Sequence, residues 1–216
     1  MAQASTSDLG FAARLRSRTA AAHRDAEGSP FIDALTHGTL PLPDYARFLR
    51  QLFVIYTALE QSGRLRATDP TVVPFLDDGL LRVPELSRDL AYIDGPDWEL
   101  RINPLPATTE YANRITEASV DSAAGFIAHH YLRYLGDLSG GQIMRRAVER
   151  AYGFTTDGVR FFRFDAIPNA KPFKDAYRRH LDTIQLTDAE QELIIAEANL
   201  GFAHNRALFV ELGQTQ

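Results

Sequence analysis

The sequence predicts an all-α protein of about seven or eight helices. Apolar residues recur every three or four positions along most of the chain, and helix-starting and helix-ending signals bound these segments. No two alternating polar and apolar runs suggest paired strands, and no repeat or linker divides the chain. We expect one domain over residues 1–216, a length that suits a single core, with flexible ends at 1–8 and 213–216.

The first predicted helix covers Ser5–Glu27 and ends at Gly28-Ser29-Pro30. The second follows Pro43, a proline suited to the first turn of a helix, and continues to about Arg66. Its apolar stripe consists of Tyr45, Phe48, Leu49, Leu52, Tyr56 and Leu59.

Three helical segments are predicted in the second half of the chain. They cover Thr108–Ser119, Ala123–Tyr152 and Lys171–Gln185, with a break near Asp121 between the first two.

The last predicted helix starts at a capping box, in which Thr187 and Glu190 satisfy each other's exposed backbone donors. Its core face carries Ile194, Phe202, Leu208 and Phe209.

Three segments that contain proline or glycine are predicted as loops, namely Asp69–Pro74, Asp94–Pro106 and Phe154–Pro168. The run Phe161–Phe164 inside the last of these is β-like, but no second run could pair with it.

Composition excludes several classes of function. The chain is 45% hydrophobic and 24% charged with a net charge of −5, so nucleic acid is not an expected partner. It has no cysteine, which excludes disulfides, thiolate metal sites and cysteine nucleophiles. Residues 1–8 lack an apolar signal core, and no long apolar run or hydrophobic tail is present. A cytoplasmic protein without a membrane anchor is the expectation.

The segment from Tyr131 to Gln142 contains a strip of glycines on a predicted helix. Gly136 and Gly140 are four residues apart and share a face, and Asp137 lies beside them. Each glycine costs roughly 1 kcal/mol relative to alanine in a helix interior and favours a bend. This pattern suits a planar cofactor that lies against bare backbone next to a carboxylate. The alternative is close packing of another helix against the strip.

The six histidines show no spacing that would build a metal site from protein ligands alone. His23 follows the small residues 19–22, which leave space for a bulky group. Arg16 lies seven residues earlier on the same face, and Glu27 lies four later, where it could reach the other imidazole nitrogen of a metal-bound histidine. The alternative is a surface histidine among charged neighbours.

Lys174 and Arg178 form a cationic pair on one helix face, which alone could equally be a solvated surface. The adjacent His129 and His130 are interpreted as structural, because consecutive helix positions point about 100° apart. No phosphate-binding loop or dinucleotide fingerprint occurs.

The motif YLRYLGDLSGGQ at residues 131–142 closely resembles the distal-helix signature of haem oxygenases. The resemblance extends over nearly the whole chain. Leu15–Leu35 is similar to the proximal helix of that family, Lys174–Arg178 to its haem-carboxylate-binding helix, and Ala198–Leu212 to its last helix. It implies a single-domain helical bundle that holds haem between a proximal and a kinked distal helix.

The resemblance also implies an activity. Haem oxygenases open the ring of haem b oxidatively at a meso carbon to give biliverdin, CO and Fe²⁺, with O2 and electrons from a separate reductase. The expected donor is a ferredoxin, a flavodoxin or an NAD(P)H-dependent reductase. We expect cleavage at the α-meso carbon because Lys174 and Arg178 are both present, and we expect a monomer.

Residue roles follow by the same carry-over. His23 would be the axial iron ligand through Nε2, with Glu27 as its partner. Gly136 and Gly140 would let the distal helix approach the haem plane, and Asp137 would hold a water there. The distal water network would include Tyr56, Arg133 and Asn205, and the haem propionates would be held by Arg16, Tyr131, Lys174 and Arg178. Arginine at position 16 departs from the lysine more usual in the family, which keeps the charge and changes its geometry.

Two other functions remain open at this point. The first is a haem carrier or sensor that uses His23 without catalysis, although a carrier has no need of Asp137. The second is a helical enzyme of this fold that acts on a small non-haem ligand. A basic surface for an acidic redox partner is predicted at Arg145, Arg146, Arg178 and Arg179.

Overall fold

The computed structural model describes residues 10–214, and no β-strand occurs among them. Its helices are α1 Phe11–Glu27, α2 Pro30–His37, α3 Leu42–Leu65, α4 Val83–Asp94, α5 Pro106–Asp121, α6 Ala123–His130, α7 Gly136–Tyr152, α8 Ala170–Thr183 and α9 Asp188–Gln214. A π-helical segment, Tyr131–Leu135, joins α6 to α7. With these three counted as one interrupted helix, the described residues form eight helices, which confirms the predicted number and class.

Most predicted helices are confirmed to within a few residues. The first helix begins at Phe11, after Gly10, rather than at Ser5, and residues 5–9 lie outside the described residues. The predicted flexible end 1–8 lies outside them as well, as do residues 215–216 of the predicted flexible end 213–216. Gly213 and Gln214 are helical and complete α9. The capping box is confirmed, because the amide of Thr187 donates to Glu190 Oε2 at 2.8 Å and the amide of Glu190 donates to Thr187 Oγ1 at 3.2 Å.

Two helices were not predicted. The Ser29 hydroxyl accepts from the Ile32 amide at the start of α2, and Gly38, with φ of 72°, ends it in the left-handed conformation. The start of α4 is capped from another helix, since Glu60 Oε1 of α3 accepts from the amides of Arg82 and Val83 at 2.5 and 2.9 Å. A cap supplied from a distant part of the chain leaves no local sequence signal.

The prediction of a β-like run at Phe161–Phe164 was wrong. The segment contains a short 3₁₀ turn, Arg160–Phe162. The carboxylate of Asp89 on α4 sets this conformation, because it accepts from the amides of Gly158, Arg160 and Phe161 at 2.7, 3.0 and 2.8 Å. Short 3₁₀ turns also occur within or beside the other two predicted loops, at Val73–Phe75 and Trp98–Arg101.

Helices α3 and α9 organise the core. Helix α3 packs against α4, α5 and α6, and α9 packs against α1, α5 and α6. The predicted stripe on α3 is confirmed, because all six of its residues are buried. On α9, Ile194, Phe202 and Leu208 are buried and Phe209 packs partly buried against the core.

The glycine strip does not pack against another helix. A Cβ atom built on Gly136 or Gly140 would have no atom within 4 Å outside its own helix and chain neighbours. Elsewhere glycine does serve close packing, since a Cβ on Gly125 would lie 2.2 Å from the carbonyl oxygen of Ala118. The helical irregularity is the π segment, which ends directly before Gly136, and π-helical insertions of this kind are frequent at functional sites.

The two adjacent histidines of α6 have buried structural partners. His129 Nε2 lies 2.9 Å from Glu197 Oε1 of α9, and Arg114 of α5 also donates to the Glu197 carboxylate. His130 Nδ1 lies 2.9 Å from the hydroxyl of Tyr177 on α8. Burial alone would raise the pKa of Glu197, but the hydrogen bonds from His129 and Arg114 lower it to about 2. These contacts join the helices that surround the site.

We predict that Gly136→Ala and Gly140→Ala each raise the free energy of unfolding of the ligand-free protein by up to about 1 kcal/mol, because alanine favours a helix and its methyl group meets open space. Urea denaturation measures this. Gly125→Ala is the control and should destabilise the protein by several kcal/mol, on the order expected for an overpacked site. Destabilisation by the two strip variants would restore the packing hypothesis.

We predict that the Glu197 ion-pair cluster loses its contribution to stability in acid. The folded-state pKa of Glu197, about 2, lies below its ordinary value of 4.5, so the contribution is present above pH 4.5 and disappears as the pH falls towards 2. The change is on the order of 3 kcal/mol. Glu197→Gln should flatten the pH dependence of the unfolding free energy in this interval, and Glu192→Gln, at an exposed ion pair, should not. Equal slopes for Glu197→Gln and the parent would contradict the assignment.

Candidate functional site

A cleft lies between α1 on one side and the π segment with α7 on the other. It consists of two adjoining cavities of about 330 and 100 Å³. Both cavities are lined by His23, Glu27, Leu132, Gly136, Gly140 and Phe202. The open space over the glycine strip is therefore the interior of this cleft, and His23 lies on its wall.

Small residues and an aromatic ring define the position of His23. Thr19, one turn earlier, is buried, and its hydroxyl donates to the carbonyl of Leu15 at 2.8 Å. Ala20 also lines the cleft, and its small side chain takes up little of the space beside His23. The ring of Phe202 on α9 contacts the imidazole edge to face, with centroids 5.1 Å apart. The imidazole is thus held from one side and open to the cleft on the other.

The contact between His23 and Glu27 differs from the prediction. Glu27 Oε1 lies 3.1 Å from Nε2, the nitrogen expected to bind iron, rather than from Nδ1. Both side chains are about half exposed, and their i, i+4 spacing lets the carboxylate meet the outer nitrogen of the ring. A ligand on Nε2 would have to replace this contact.

The predicted distal residues lie together behind the glycine strip. The Tyr56 hydroxyl donates to Asp137 Oδ2, and Arg133 Nε donates to the Tyr56 hydroxyl at 3.1 Å. Arg133 Nη1 also donates to Asn205 Oδ1 at 2.8 Å, and its guanidinium lies over the Tyr56 ring, 4.8 Å from the centroid. One buried arginine therefore joins side chains from α3, α7 and α9 through this chain of contacts.

The pKa values of Asp137 and Tyr56 are both raised in this group, which favours their protonated forms. Burial raises the pKa of the Asp137 carboxyl, while Arg133 and the hydrogen bond from Tyr56 oppose the rise. Burial also raises the pKa of Tyr56 well above its ordinary value, so the phenol stays neutral and donates. Although burial lowers the pKa of Arg133, the neighbouring Tyr56 and Asp137 raise it overall, and the guanidinium remains charged.

Sequence reasoning missed Tyr111 of α5. Its hydroxyl is buried and has no hydrogen-bond partner among residues 10–214, and its ring stacks on His204 with centroids 5.3 Å apart. Burial raises the pKa of Tyr111, and the charge of Arg133 acts against this rise, which relates Tyr111 electrostatically to the distal group. No local signal marks it, because a tyrosine on the apolar face of α5 looks like an ordinary core residue.

The predicted anion-binding residues gather at the mouth of the larger cavity, which is lined by Arg16, Tyr131 and Arg178. Lys174 lies beside that wall and donates to Ser139 Oγ at 3.1 Å. Burial and the charge of Arg178 lower the pKa of Lys174, as expected for neighbouring cations.

The cations differ in how far they are neutralised. Arg178 pairs with Asp175 at 2.9 Å, whereas the Arg16 guanidinium has no ion pair within the described part of the chain.

The smaller cavity has aromatic walls that the sequence did not assign to the site. Phe161 and Phe162 come from the turn fixed by Asp89, and Phe209 comes from α9. The reason is topological, because bonds from distant parts of the chain, among them Asp89 of α4 and Gln142 of α7, place this turn at the cleft.

The predicted basic surface is partly neutralised. Arg145 lies 3.5 Å from Glu149, and Arg178 pairs with Asp175. Arg146 and Arg179 are exposed.

Within residues 10–214, no cluster of three or more histidine, aspartate or glutamate side chains could hold a metal ion. Of the helices described there, none combines the length and apolarity needed to span a membrane.

Comparisons with known proteins agree with the sequence resemblance. The family model described as Heme oxygenase matches residues 9–211. A heme oxygenase from Porphyra purpurea is 36% identical over 206 residues, covering 95% of this chain and 87% of the relative.

Solved structures agree as well. Heme oxygenase-2 from Synechocystis sp. PCC 6803, determined with heme and NO, superposes with a TM-score of 0.92 at 30% identity and covers 96% of this chain and 86% of that one. Heme oxygenase from Leptospira interrogans superposes with a TM-score of 0.89 at 32% identity over 94% of this chain and all of the other. From its motif, its fold and these matches, the chain belongs to the heme oxygenase family of enzymes.

Proposed function

We propose that this enzyme binds haem b in the cleft between α1 and α7 and there carries out the cleavage of haem to biliverdin, CO and Fe²⁺. The observation that carries this assignment is the open space over Gly136 and Gly140, opposite a histidine. O2 and electrons from an external donor are the co-reactants that this reaction needs.

The residues of the cleft fit haem as the substrate. Its flat apolar ring needs a wall without side chains, which the glycine strip offers. Its iron needs a nitrogen ligand, and His23 faces the same space. Its two propionates need cations at the mouth of the cleft, where Arg16 and Arg178 lie.

On the proximal side, neutral His23 binds the iron, which supplies the site for O2 once reduced. Nε2 is the proposed ligand atom, so Glu27 exchanges its contact with Nε2 for one with Nδ1 or with solvent. Phe202 limits rotation of the imidazole through its edge-to-face contact. Orientation of a ligating histidine by such neighbours is a general feature of metal sites.

On the distal side, Asp137 holds a water and delivers a proton. Tyr56 donates to Oδ2, which leaves Oδ1 to accept from a water in the smaller cavity that Asp137 lines. Because its pKa is raised, the Asp137 carboxyl is protonated more often than an exposed carboxyl at the same pH, which suits a proton donor. Arg133 and Asn205 fix the position of Tyr56 and therefore that of the carboxylate. A haem carrier would have no use for this buried acid and its supports.

Three cationic side chains and one tyrosine at the mouth of the cleft orient the substrate. The haem propionates are proposed to be held by Arg16, Tyr131, Lys174 and Arg178, which fixes the rotation of haem about the iron. The α-meso edge is the proposed site of cleavage. Lys174 would exchange its contact with Ser139 for a propionate.

Electron transfer requires a partner that approaches the mouth of the cleft. We propose a ferredoxin, a flavodoxin or an NAD(P)H-dependent reductase with an acidic surface, docking on Arg145, Arg146, Arg178 and Arg179, of which Arg146 and Arg179 are exposed. A monomer in the cytoplasm is the proposed working form.

The test of the function is aerobic turnover of one equivalent of haem with ascorbate or a reductase system. We predict loss of the Soret band and formation of biliverdin. His23→Ala should abolish this and remove the histidine signature from the ferric electron paramagnetic resonance spectrum, with recovery when imidazole is added. His37→Ala, an exposed histidine on α2, is the matched control and should behave as the parent. Histidine ligation that persists in His23→Ala would refute the ligand assignment.

We predict that Asp137→Ala still binds haem through histidine but lowers the rate of biliverdin formation by about 100-fold, the usual magnitude for a lost general acid. Haem affinity is measured by titration, and the product by its absorbance after extraction. Asp97→Ala, at an exposed aspartate, should change neither quantity. A normal rate from Asp137→Ala would remove this residue from the mechanism.

We predict that Arg178→Ala allows haem to rotate and yields a mixture of biliverdin isomers in place of one dominant isomer. Chromatographic separation of the isomers measures the ratio. Arg179→Ala, the exposed neighbour, should leave the ratio unchanged. If Arg178→Ala gave the parent isomer alone, the propionate assignment would be wrong.

A further inference from the structure

A separate cavity of about 240 Å³, which we call the rear cavity, lies on the opposite side of the π segment from the haem cleft. This rear cavity shares no lining residue with the two cavities of the cleft. Its apolar lining residues include Leu59, Gly63, Leu76, Leu80 and Phe126, and the exposed charged residues Arg64, Asp77 and Asp78 also line it. A closed apolar cavity of about 150 Å³ can hold benzene, so this larger space has the volume for a two-ring molecule.

Three buried polar side chains also line the rear cavity, and each offers an atom without a hydrogen-bond partner among residues 10–214. The Tyr134 hydroxyl has no partner, and its residue is 2% exposed. His130 uses Nδ1 for Tyr177 and leaves Nε2 without a partner. Glu60 uses Oε1 to cap α4 and leaves Oε2 without one. Each of these three atoms is therefore free to form a hydrogen bond with an occupant of the cavity.

We propose that the rear cavity binds a small, neutral aromatic molecule that carries a hydroxyl or a ring N–H. The rings of Phe126, His130 and Tyr134 supply aromatic walls. A hydroxyl or N–H can donate to Glu60 Oε2, and the Tyr134 hydroxyl can both donate and accept.

The charges around the rear cavity favour a neutral occupant. Burial lowers the pKa of His130 to about 3, so this histidine offers no positive charge to an anion. Burial raises the pKa of Glu60, which favours the uncharged form of this carboxyl, and the other acidic residues of the lining, Asp77 and Asp78, are exposed to solvent. A neutral molecule avoids the cost of bringing a charge into a mostly apolar space.

The rear cavity has a direct structural connection to the distal group. The Tyr134 ring lies 4.6 Å from the His130 ring and 5.8 Å from the Tyr56 ring, measured between centroids. Tyr56 is the residue that donates to Asp137. An occupant that shifts Tyr134 therefore presses on the support of the distal carboxylate, while the other side of the same π segment faces the haem cleft.

The probe for this proposal is indole, which has two fused rings, one N–H and no affinity for haem iron through a lone pair. Titration into the haem-free protein, followed by proton NMR, should give saturable binding with Kd on the order of 1 mM or tighter. Nuclear Overhauser contacts should connect indole to the ring protons of Phe126 and Tyr134. Indene, which has the same shape without the N–H, should bind three- to tenfold more weakly, as expected for one lost hydrogen bond.

Variants locate the binding. A Cβ on Gly63 would lie 3.4 Å from Leu76 and from Phe126, so Gly63→Leu extends into the cavity and should abolish indole binding. Leu65→Ala is the control on the same helix, because this side chain is 76% exposed and outside the cavity. Tyr134→Phe keeps the ring and should weaken binding three- to tenfold, which provides a readout if Gly63→Leu does not fold.

Several results would overturn the proposal. They are the absence of saturable indole binding, equal affinity of indole for the parent and for folded Gly63→Leu, and a crystal soaked with indole that shows waters alone in the rear cavity. Because the experiment uses haem-free protein, its result does not depend on the proposed assignment of the haem site.

Discussion

The buried guanidinium of Arg133 is the interaction on which the site depends. A charge inside a protein is stable when several partners surround it, and these partners come from different helices. Arg133 bonds to Tyr56 of α3 and Asn205 of α9, and it lies in the π segment that leads into α7. It therefore fixes the glycine-bearing helix, which by its own propensity would be weak, against the two helices that organise the core.

The same contacts also determine the position of the Asp137 carboxylate. Tyr56 accepts from Arg133 and donates to Asp137, so the residue that anchors the arginine also orients the carboxylate. The scaffold and the proposed proton donor are therefore held by one set of hydrogen bonds. Because networks of this kind act cooperatively in a low dielectric, removal of one member would be felt by all of them.

Much of the fold could be predicted from the sequence, and so could many of the residues that line the cleft. Helical periodicity marks α3 and α9, and the glycine motif identified the family, whose match now covers residues 9–211. The features that could not be predicted depend on distant partners. Helix α4 is capped by Glu60 from α3, and the turn at Arg160–Phe162 is shaped by Asp89, so neither has a local signal. The contact of Glu27 with Nε2 is likewise decided by side-chain geometry in the folded cleft.

Helix α9 reaches both sides of the cleft from one short stretch of its surface. Phe202 touches the ring of His23, and Asn205, three positions later, holds Arg133. Since three residues span less than one turn, the two contacts move as a rigid unit. If α1 moves while α7 and α9 stay in place, the cleft can widen for a large flat molecule without disturbing the distal hydrogen bonds, whereas displacement of α9 would disturb both the contact of Phe202 with His23 and the bond of Asn205 to Arg133. The position of α9 therefore determines both where the His23 ring lies and where the Arg133 guanidinium lies.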